Sequence, residues 1–225
     1  MSRERAPMSG YRRAGDLPQV IPVFPLDGAL LLPGGELPLR IFEPRYLNMV
    51  DDVMAGDRMI GMIQTTGGER ARPSLAGVGC AGRITSFNET SDGTYLITLT
   101  GVCRFSIGDE LSVRTPYRQV RAAFEPYAED LADDDAVVGP FDRSRFAKAL
   151  KVYLNRRELD IDWETAETAP LESLVTSLAM GLPFEPVEKQ ALLEAADLAE
   201  RCEALTALLE IDAMEDGDDE PHSMQ

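Results

Sequence analysis

Residues 41–46, IFEPRY, place a glutamate and an arginine close together at the end of a long apolar stretch. Guanidinium groups make planar, bidentate contacts with carboxylates and phosphates, so arginines gathered in one place are suited to bind a small anion. The chain could assemble such a site from this segment and a polar loop that follows it. The candidate residues are Arg40, Glu43, Arg45, Arg70 and Arg72.

The same segment also has a structural interpretation. Glu43 would lie at the N-terminus of a helix, where its charge opposes the helix dipole, and Pro44 suits the first helical turn. Phe42 and Tyr46 would then pack on both sides of the junction as a hydrophobic staple, with the Phe42 ring in the core. Arg45 is left to pair with a nearby carboxylate. This interpretation makes the five residues a structural signature at a strand-to-helix junction.

Residue types that support common catalytic mechanisms are few. The single histidine, His222, lies in an acidic C-terminal tail, so histidine-based triads and most catalytic zinc sites lack their residue. No Gly-Lys-Ser/Thr sequence occurs, which excludes a Walker-type phosphate loop. We therefore predict no catalytic residue, no metal site and no cofactor, and a protein that is not an enzyme.

Lysines and paired carboxylates are the remaining candidates for acid–base chemistry. A serine–lysine dyad needs a lysine that loses its charge in an apolar pocket. Asp51 and Asp52 are expected on the polar face of a helix, and the aspartate run 133–135 in a solvated linker, rather than in catalysis or cation binding. The lysines, which we predict to be solvated at the surface, are Lys148, Lys151 and Lys189.

The three cysteines form an odd, sparse set without C-x-x-C spacing, which fits a reducing compartment. The period of two along a predicted hairpin places Cys80 and Cys103 on the inward face of adjacent strands, close together. They are interpreted as two buried thiols, with a redox switch as the alternative.

The formal net charge is −17, from 39 acidic and 22 basic residues, which works against binding to nucleic-acid phosphates or anionic lipid. No stretch approaches the roughly 18–20 apolar residues that span a bilayer. We expect a cytoplasmic protein whose partners are neither nucleic acid nor membrane. Residues 1–124 carry 14 basic and 13 acidic side chains, whereas residues 125–225 carry 8 and 26, which places a boundary near 125–140.

Short apolar or alternating segments dominate the first half. They predict strands at 19–26, 29–42, 58–65, 78–87, 94–107 and 117–127. Prolines confine the first strand to an edge or an irregular position, and Pro33-Gly34-Gly35 should bend the second. Residues 43–57 have the apolar spacing of an amphipathic helix, and 66–76 form a polar loop.

Helical periodicity takes over in the second half, at 141–157, 170–182 and 186–212. The predicted fold class is therefore α+β: a small bent β-sheet or barrel with one early helix, followed by an α-helical bundle. The predicted organisation is a disordered arm at 1–17, a barrel subdomain at 18–127, an acidic linker at 128–140, a helical subdomain at 141–212 and a disordered acidic tail at 213–225.

Three segments, read in chain order, resemble the N-terminal substrate-binding domain of the ATP-dependent Lon protease family. They are IPVFPLDGALLLPGGELPLRIFEPRYLNMVDDVMAGDRMIGMIQ, GVGCAGRITSF and DGTYLITLTGVCRF, and the resemblance covers roughly residues 18–211. It is to stand-alone bacterial forms that lack the ATPase and peptidase modules, and it implies a PUA-like barrel followed by a helical bundle. A Lon-type peptidase name could be transferred by homology, although the motifs of both enzymatic modules are absent.

The resemblance implies a non-enzymatic module that binds exposed apolar segments of unfolded or misfolded proteins, as an adaptor or holdase with a protease or chaperone as a further partner. Such a module could use apolar pockets or an unpaired strand edge. The alternative is a small barrel that binds an anionic ligand through the arginines named above. The residues expected to frame a peptide site are Leu30, Leu31, Leu32, Pro33 and Leu37, and the competing interpretation places the three leucines in the core.

Overall fold

A computed structural model of the chain describes residues 10–69, 72–132 and 141–214. The strands are β1 (Val20–Pro25), β2 (Glu36–Ile41), β3 (Met59–Ile63), β4 (Thr65–Glu69), β5 (Arg72–Leu75), β6 (Val78–Glu89), β7 (Tyr95–Glu110) and β8 (Arg118–Ala123). The α-helices are α1 (Pro44–Met54), α2 (Arg143–Arg156), α3 (Trp163–Thr168), α4 (Leu171–Gly181), α5 (Pro186–Glu194) and α6 (Leu198–Met214). Short 3₁₀ helices cover Ala14–Asp16 and Glu125–Leu131. The predicted α+β fold class is confirmed.

The sheet closes on itself because β8 pairs with both β1 and the C-terminal part of β7. Going round the barrel, the strands are β7, β6, β3, β1 and β8. The N-terminal part of β7 extends beyond this ring and pairs with β2, which is an edge strand. The hairpin of β4 and β5 forms a separate two-stranded sheet.

A β-bulge in β7 changes which residues of this strand face each of the two hydrophobic cores. Ala81 and Gly82, adjacent on β6, pair with Cys103 and Gly101, so Val102 is an extra residue on β7. Such a residue resets the alternation of side chains, because the period of two is interrupted. The two ends of β7 therefore present their odd-numbered residues to opposite faces of the sheet.

The bulge corrects the prediction for the cysteines. Ile97 and Leu99 pack in the larger core, which the sheet shares with the helices, whereas Cys103 and Phe105 pack inside the barrel. Cys80 belongs to the larger core, so it does not share a face with Cys103 as predicted. All three cysteines are buried free thiols.

The larger core is continuous from the barrel to the helices. The segment 30–32, three leucines of this core, packs against the sheet beside Gly82 and Gly101. The absence of a side chain at Gly101 leaves room for it. A Cβ on Gly101 would lie 2.0 Å from the Leu32 carbonyl oxygen. The barrel and helical subdomains predicted from sequence thus share one core.

The strand-to-helix junction follows the prediction except at one residue. Pro44 is the first residue of α1, and the side chain of Tyr46 in the same helix is buried, as expected. Phe42 is 65% exposed, so its predicted place in the core is wrong. Ile41, the last residue of β2, is buried, and the alternation of side chains turns the next residue towards solvent.

Other predicted elements differ in the first half. β1 is an interior strand, because Pro22 pairs with β8 and Pro25 pairs with β3. Each proline has a strand partner on one side only, so neither has to supply a donor to two neighbours. The predicted loop 66–76 contains the β4–β5 hairpin.

Domain boundaries also shift. Leu17, placed in the predicted arm, is buried in the barrel core, and Leu131, placed in the predicted linker, is buried there too. The single helix predicted at 186–212 is two helices, α5 and α6. The remainder of the arm (1–9), of the linker (133–140) and of the tail (215–225) lies outside the described residues.

Candidate functional site

A cleft of about 510 Å³ opens at one end of the barrel. It lies between the end of β1, the start of α1, the β4–β5 hairpin and the segment that leads into β8. Its wall is mostly apolar or aromatic: Val23, Pro25, Leu26, Tyr46, Pro73, Pro116 and Tyr117. Its polar lining consists of Asp27, Arg45, Thr65, Gly67, Gly68 and Arg118.

Two tyrosines are held rigidly in this wall. The ring of Tyr46 packs on Phe24 with centroids 4.2 Å apart, and the Arg45 guanidinium lies 4.5 Å from the centroid of the Tyr46 ring. The hydroxyl of Tyr117 donates to Asp52 of α1 at 2.6 Å. Burial and this bond raise the pKa of Tyr117 to about 12, so its hydroxyl stays protonated as a donor. The aromatic surfaces are therefore fixed before any ligand arrives.

The β4–β5 hairpin supplies backbone to the rim. The amide and hydroxyl of Thr65 donate to Asp27 at 3.0 and 2.5 Å, which ties the hairpin to the end of β1. The hairpin register shifts between Thr65 and Gly68, so Thr66 and Gly67 make no ladder pair. Gly67 has a φ of +108°, which favours glycine. Peptide groups of this kind can bind an extended chain through its backbone.

The positive charges at the rim are already compensated. Arg45 bonds the Glu43 carboxylate through Nε at 2.9 Å and Nη2 at 2.8 Å. Arg118 bonds Glu110 at 2.7 Å, and this pairing, with help from Arg72, lowers the pKa of Glu110. Because each guanidinium already has a carboxylate, neither arginine is free to bind an anion, and the apolar and aromatic side chains of the wall remain for contact with a ligand.

The predicted anion site is not assembled. Arg40 pairs at 2.8 Å with Asp92, in the turn between β6 and β7, and Arg72 pairs at 2.9 Å with Glu110. Among the arginines of the set that the structure describes, Arg45 alone lines the cleft, and it is paired with Glu43. Arg70 lies outside the described residues.

The residues predicted to frame a peptide site do not line the cleft. Leu30, Leu31 and Leu32 are 2%, 1% and 0% exposed, so the structure places them in the core and they offer no surface to a partner. Pro33 is half-buried in the turn before β2, and Leu37 on β2 packs against the larger core. The apolar run in the sequence therefore reflects packing rather than binding.

The unpaired edge of β2 is a poor alternative site. The amide of Gly101 donates to the Gly35 carbonyl at 2.8 Å. With the register of β2 and β7, this bond determines which residues of β2 direct their backbone groups towards β7. Alternate residues of β2 then direct their backbone groups to the free edge, and Pro38 is one of them. Pro38 lacks an N–H, so the middle of the edge has no donor for an added strand.

Buried polar contacts connect the cleft to the helices. Lys189 of α5 is buried, which contradicts its predicted place in solvent, and its ammonium donates to the Gly28 carbonyl at 2.8 Å. Burial lowers the pKa of Lys189. The Gln64 amide donates to the Pro186 carbonyl at 3.0 Å, also on α5. Gly28 follows Asp27 of the rim, so α5 supports the segment that forms one side of the cleft.

Sequence reasoning missed most of the cleft. Tyr46 and Arg45 belong to the predicted signature, but the roles of Asp27, Pro116 and Tyr117 depend on loops that meet only in the folded chain. The available signal was the proline, glycine and tyrosine content of segments flanking the strands. Asp51 was expected on a polar helix face, and its carboxylate there accepts a hydrogen bond from Tyr95 at 2.9 Å.

Within the described ranges, no helix combines the length and apolar character needed to cross a membrane. The same part of the chain has no group of three or more histidine, cysteine or acidic side chains placed to hold a metal ion. His222 and the aspartates 133–135 lie outside the described residues.

Residues 20–210 match the family described as the ATP-dependent protease La (LON) substrate-binding domain. Lon protease 2 of Myxococcus xanthus is 27% identical over 208 residues, which cover 86% of this chain and 24% of that protein. Lon protease of Roseiflexus castenholzii is 28% identical over 199 residues, 87% of this chain and 24% of that protein. The chain thus spans about a quarter of the length of these relatives.

Two solved structures share the fold. The crystal structure of a Lon N-terminal domain protein from Xanthomonas campestris aligns with a TM-score of 0.59 at 22% identity, covering 84% of this chain and 97% of that one. The N-terminal domain of the Mycobacterium avium complex Lon protease aligns with a TM-score of 0.55 at 17% identity, covering 88% and 99%.

Proposed function

The chain belongs to the LON substrate-binding domain family, and on this premise we propose that it is a polypeptide-binding module whose site is the cleft at the end of the barrel. The cleft is lined by residues between Val23 and Arg118, all inside the matched region 20–210. We propose binding without catalysis, since the family match is to a substrate-binding domain.

The composition of the cleft wall is the observation that carries this proposal. Six of the thirteen lining residues are apolar or aromatic side chains with some exposed surface, since Val23 is fully buried, and both lining arginines already have carboxylate partners. An apolar side chain of an extended segment would gain roughly 25 cal/mol for each Å² removed from water there. A compact anion would have to displace Glu43 or Glu110 from its arginine. The cleft therefore favours apolar polypeptide over a small anionic ligand.

The rim supplies a second element of recognition. Gly67 lines the cleft and has no partner residue in the hairpin register, and its peptide groups can bond the backbone of a bound segment, which does not depend on the sequence of that segment. Apolar contact with backbone bonding is suited to many unfolded or misfolded clients. In this proposal the protein holds such segments as an adaptor or holdase, and a protease or chaperone receives them.

Fluorescence anisotropy with a labelled, permanently unfolded protein tests the proposal. Pro116→Glu introduces a charge into the cleft wall, whereas Val113→Glu introduces it at an exposed residue of the same connection that does not line the cleft. We expect wild type and Val113→Glu to bind alike, and Pro116→Glu to bind at least about tenfold more weakly, a change of about 1.4 kcal/mol. Equal binding by all three proteins, or no binding by wild type, would contradict the proposal.

A further inference from the structure

The charged side chains of the cleft leave one negative charge without a partner. The two lining arginines are each held by a glutamate, Arg45 by Glu43 and Arg118 by Glu110. Asp27 is the remaining charged residue of the lining, and it is exposed. Once each arginine is counted together with its glutamate, the carboxylate of Asp27 is the charge that the cleft presents to a ligand.

The Asp27 carboxylate is held in place but has capacity for a further donor. Its Oδ1 accepts hydrogen bonds from the amide and the hydroxyl of Thr65, at 3.0 and 2.5 Å. Among the described residues, nothing donates to Oδ2, and no lysine or arginine forms an ion pair with Asp27. A carboxylate can accept about four hydrogen bonds. Because Thr65 already orders this side chain, a cation that binds Oδ2 would not have to order it.

The space next to the cleft has the same sign of charge. Tyr117 lines both the cleft and a smaller pocket of about 200 Å³, so the two adjoin. Asp52 and Asp57 are exposed and line this pocket, and none of its described lining residues is a lysine or arginine. Asp52 accepts the Tyr117 hydroxyl, but within the described ranges neither aspartate has an ion-pair partner. A bound segment that continues past Tyr117 therefore meets further negative charge.

We propose that the cleft selects, among apolar segments, those in which a lysine or arginine adjoins the apolar residues, with Asp27 as the partner of the cation. This inference rests on the proposed function and adds the chemical class of the preferred client. The aliphatic stem of a lysine or arginine can lie along an apolar wall while its charged end reaches a carboxylate. An acidic residue at the same place would face Asp27 without compensation, which disfavours acidic segments.

A pair of labelled peptides tests this selectivity. Both contain the same apolar stretch, flanked at each end by lysine in one peptide and by N-acetyllysine in the other, which keeps the stem but lacks the charge. Lysine at both ends makes the test independent of the direction in which the segment binds. By fluorescence anisotropy, we expect the wild-type chain to bind the lysine peptide about two- to fivefold more tightly, as is typical of an exposed ion pair.

Two substitutions separate Asp27 from the overall charge of the chain. Asp27→Asn keeps an oxygen acceptor for Thr65 and should lose most of the preference for the lysine peptide. Asp160→Asn is the matched control, because it removes the same charge at an exposed residue that lines neither the cleft nor the adjoining pocket. The control should keep the wild-type preference, since a general attraction of cations to the acidic chain is reduced equally by both substitutions.

The outcomes distinguish this inference from the proposed function. Equal affinity of the wild-type chain for the two peptides, or a preference that survives Asp27→Asn, would overturn the inference and leave polypeptide binding in place. Absence of binding by both peptides would contradict the proposed function and this inference with it. A measurement without substitutions is the salt dependence: the wild-type preference should fall in about 0.5 M NaCl, where the Debye length is about 4 Å. A preference unchanged by salt would also overturn the inference.

Discussion

Arg104 of β7 and Asp130 of the second 3₁₀ helix form a buried ion pair, with Nη2 2.8 Å from Oδ1 and side chains only 4% and 9% exposed. The same guanidinium donates through Nη1 to the carbonyls of Leu193 and Ala195. Those carbonyls belong to the C-terminal end of α5, where helical partners are lacking. Arg104 therefore joins the barrel, the segment after β8 and the helices in one contact. Burial by itself would lower the Arg104 pKa, but the hydrogen bonds and charge of Asp130 raise it.

Loss of this contact should be strongly destabilising. We expect Arg104→Met to lower the free energy of unfolding by about 3–5 kcal/mol, because Asp130 would be left buried without its partner. Urea denaturation measures this change. Arg40→Met is the matched control: its ion pair with Asp92 is exposed and should contribute at most about 1 kcal/mol. Equal effects of the two substitutions would show that the Arg104 contact is not structural.

Gly101→Ala should disrupt the crossing of the leucine segment over the sheet. A Cβ at this position would lie 2.0 Å from the Leu32 carbonyl oxygen, which is backbone and cannot move aside easily. We expect a loss of more than about 2 kcal/mol in thermal or chemical unfolding. Gly77→Ala is the control, since a Cβ there meets no atom within 4 Å. A Gly101→Ala protein as stable as the control would contradict this packing.

The junction before α1 gives a paired test of burial. Phe42→Ala should change the free energy of unfolding by less than about 0.5 kcal/mol, because the ring is mostly exposed. Ile41→Ala, one residue earlier and only 2% exposed, should cost about 2–5 kcal/mol. Chemical denaturation of the two variants distinguishes them. A larger loss for Phe42→Ala than for Ile41→Ala would contradict these burials and support the hydrophobic staple predicted from the sequence.

The thiols should be unreactive in the folded protein. Burial raises the pKa of Cys103 to about 12 and that of Cys202 to about 11, so neither forms a thiolate at neutral pH. We expect labelling by Ellman's reagent at about pH 8, near the ordinary thiol pKa, to follow the rate of unfolding. Fast labelling of the native chain would contradict the placement of these residues and revive the redox alternative.

The same shifts predict a loss of stability in alkali. A raised thiol pKa means that the folded state favours the protonated form, so this contribution is complete below the ordinary thiol value of 9.0. It is lost as the pH rises from there towards the folded values of about 11 and 12. Urea midpoints measured between these limits should fall. Cys103→Ala should reduce the dependence on pH, and an unchanged slope would count against the assignment.

Much of the fold could be predicted from local patterns. Pro44 opens α1 as expected, and the turn after β6 is built around Asp92, whose carboxylate accepts bonds from Thr90 and Thr94. Such features depend on neighbours in sequence, so turn and cap chemistry reveals them. Family-level substrate binding could be inferred from the order of whole segments.

The misses share a different cause. The bulge at Val102 follows Gly101, and a glycine within a strand often marks a bulge, but this residue does not specify that Cys103 moves to the other face of the sheet. The burial of Lys189 is accompanied by a hydrogen bond from its ammonium to the carbonyl of Gly28. Each is decided by a contact between residues far apart in sequence. The cleft was missed for the same reason, because its walls come from four separate segments.

Photo-cross-linking of an extended apolar peptide tests whether polypeptide binds in the cleft. A benzophenone-bearing peptide is bound to the wild-type chain, irradiated and located by mass spectrometry. We predict adducts in the cleft segments, at residues 23–27, 45–46, 65–68, 73 and 116–118, and their loss in Pro116→Glu. Adducts concentrated on the exposed tip of β6 and β7 or on the helices, and unaffected by Pro116→Glu, would contradict binding in the cleft.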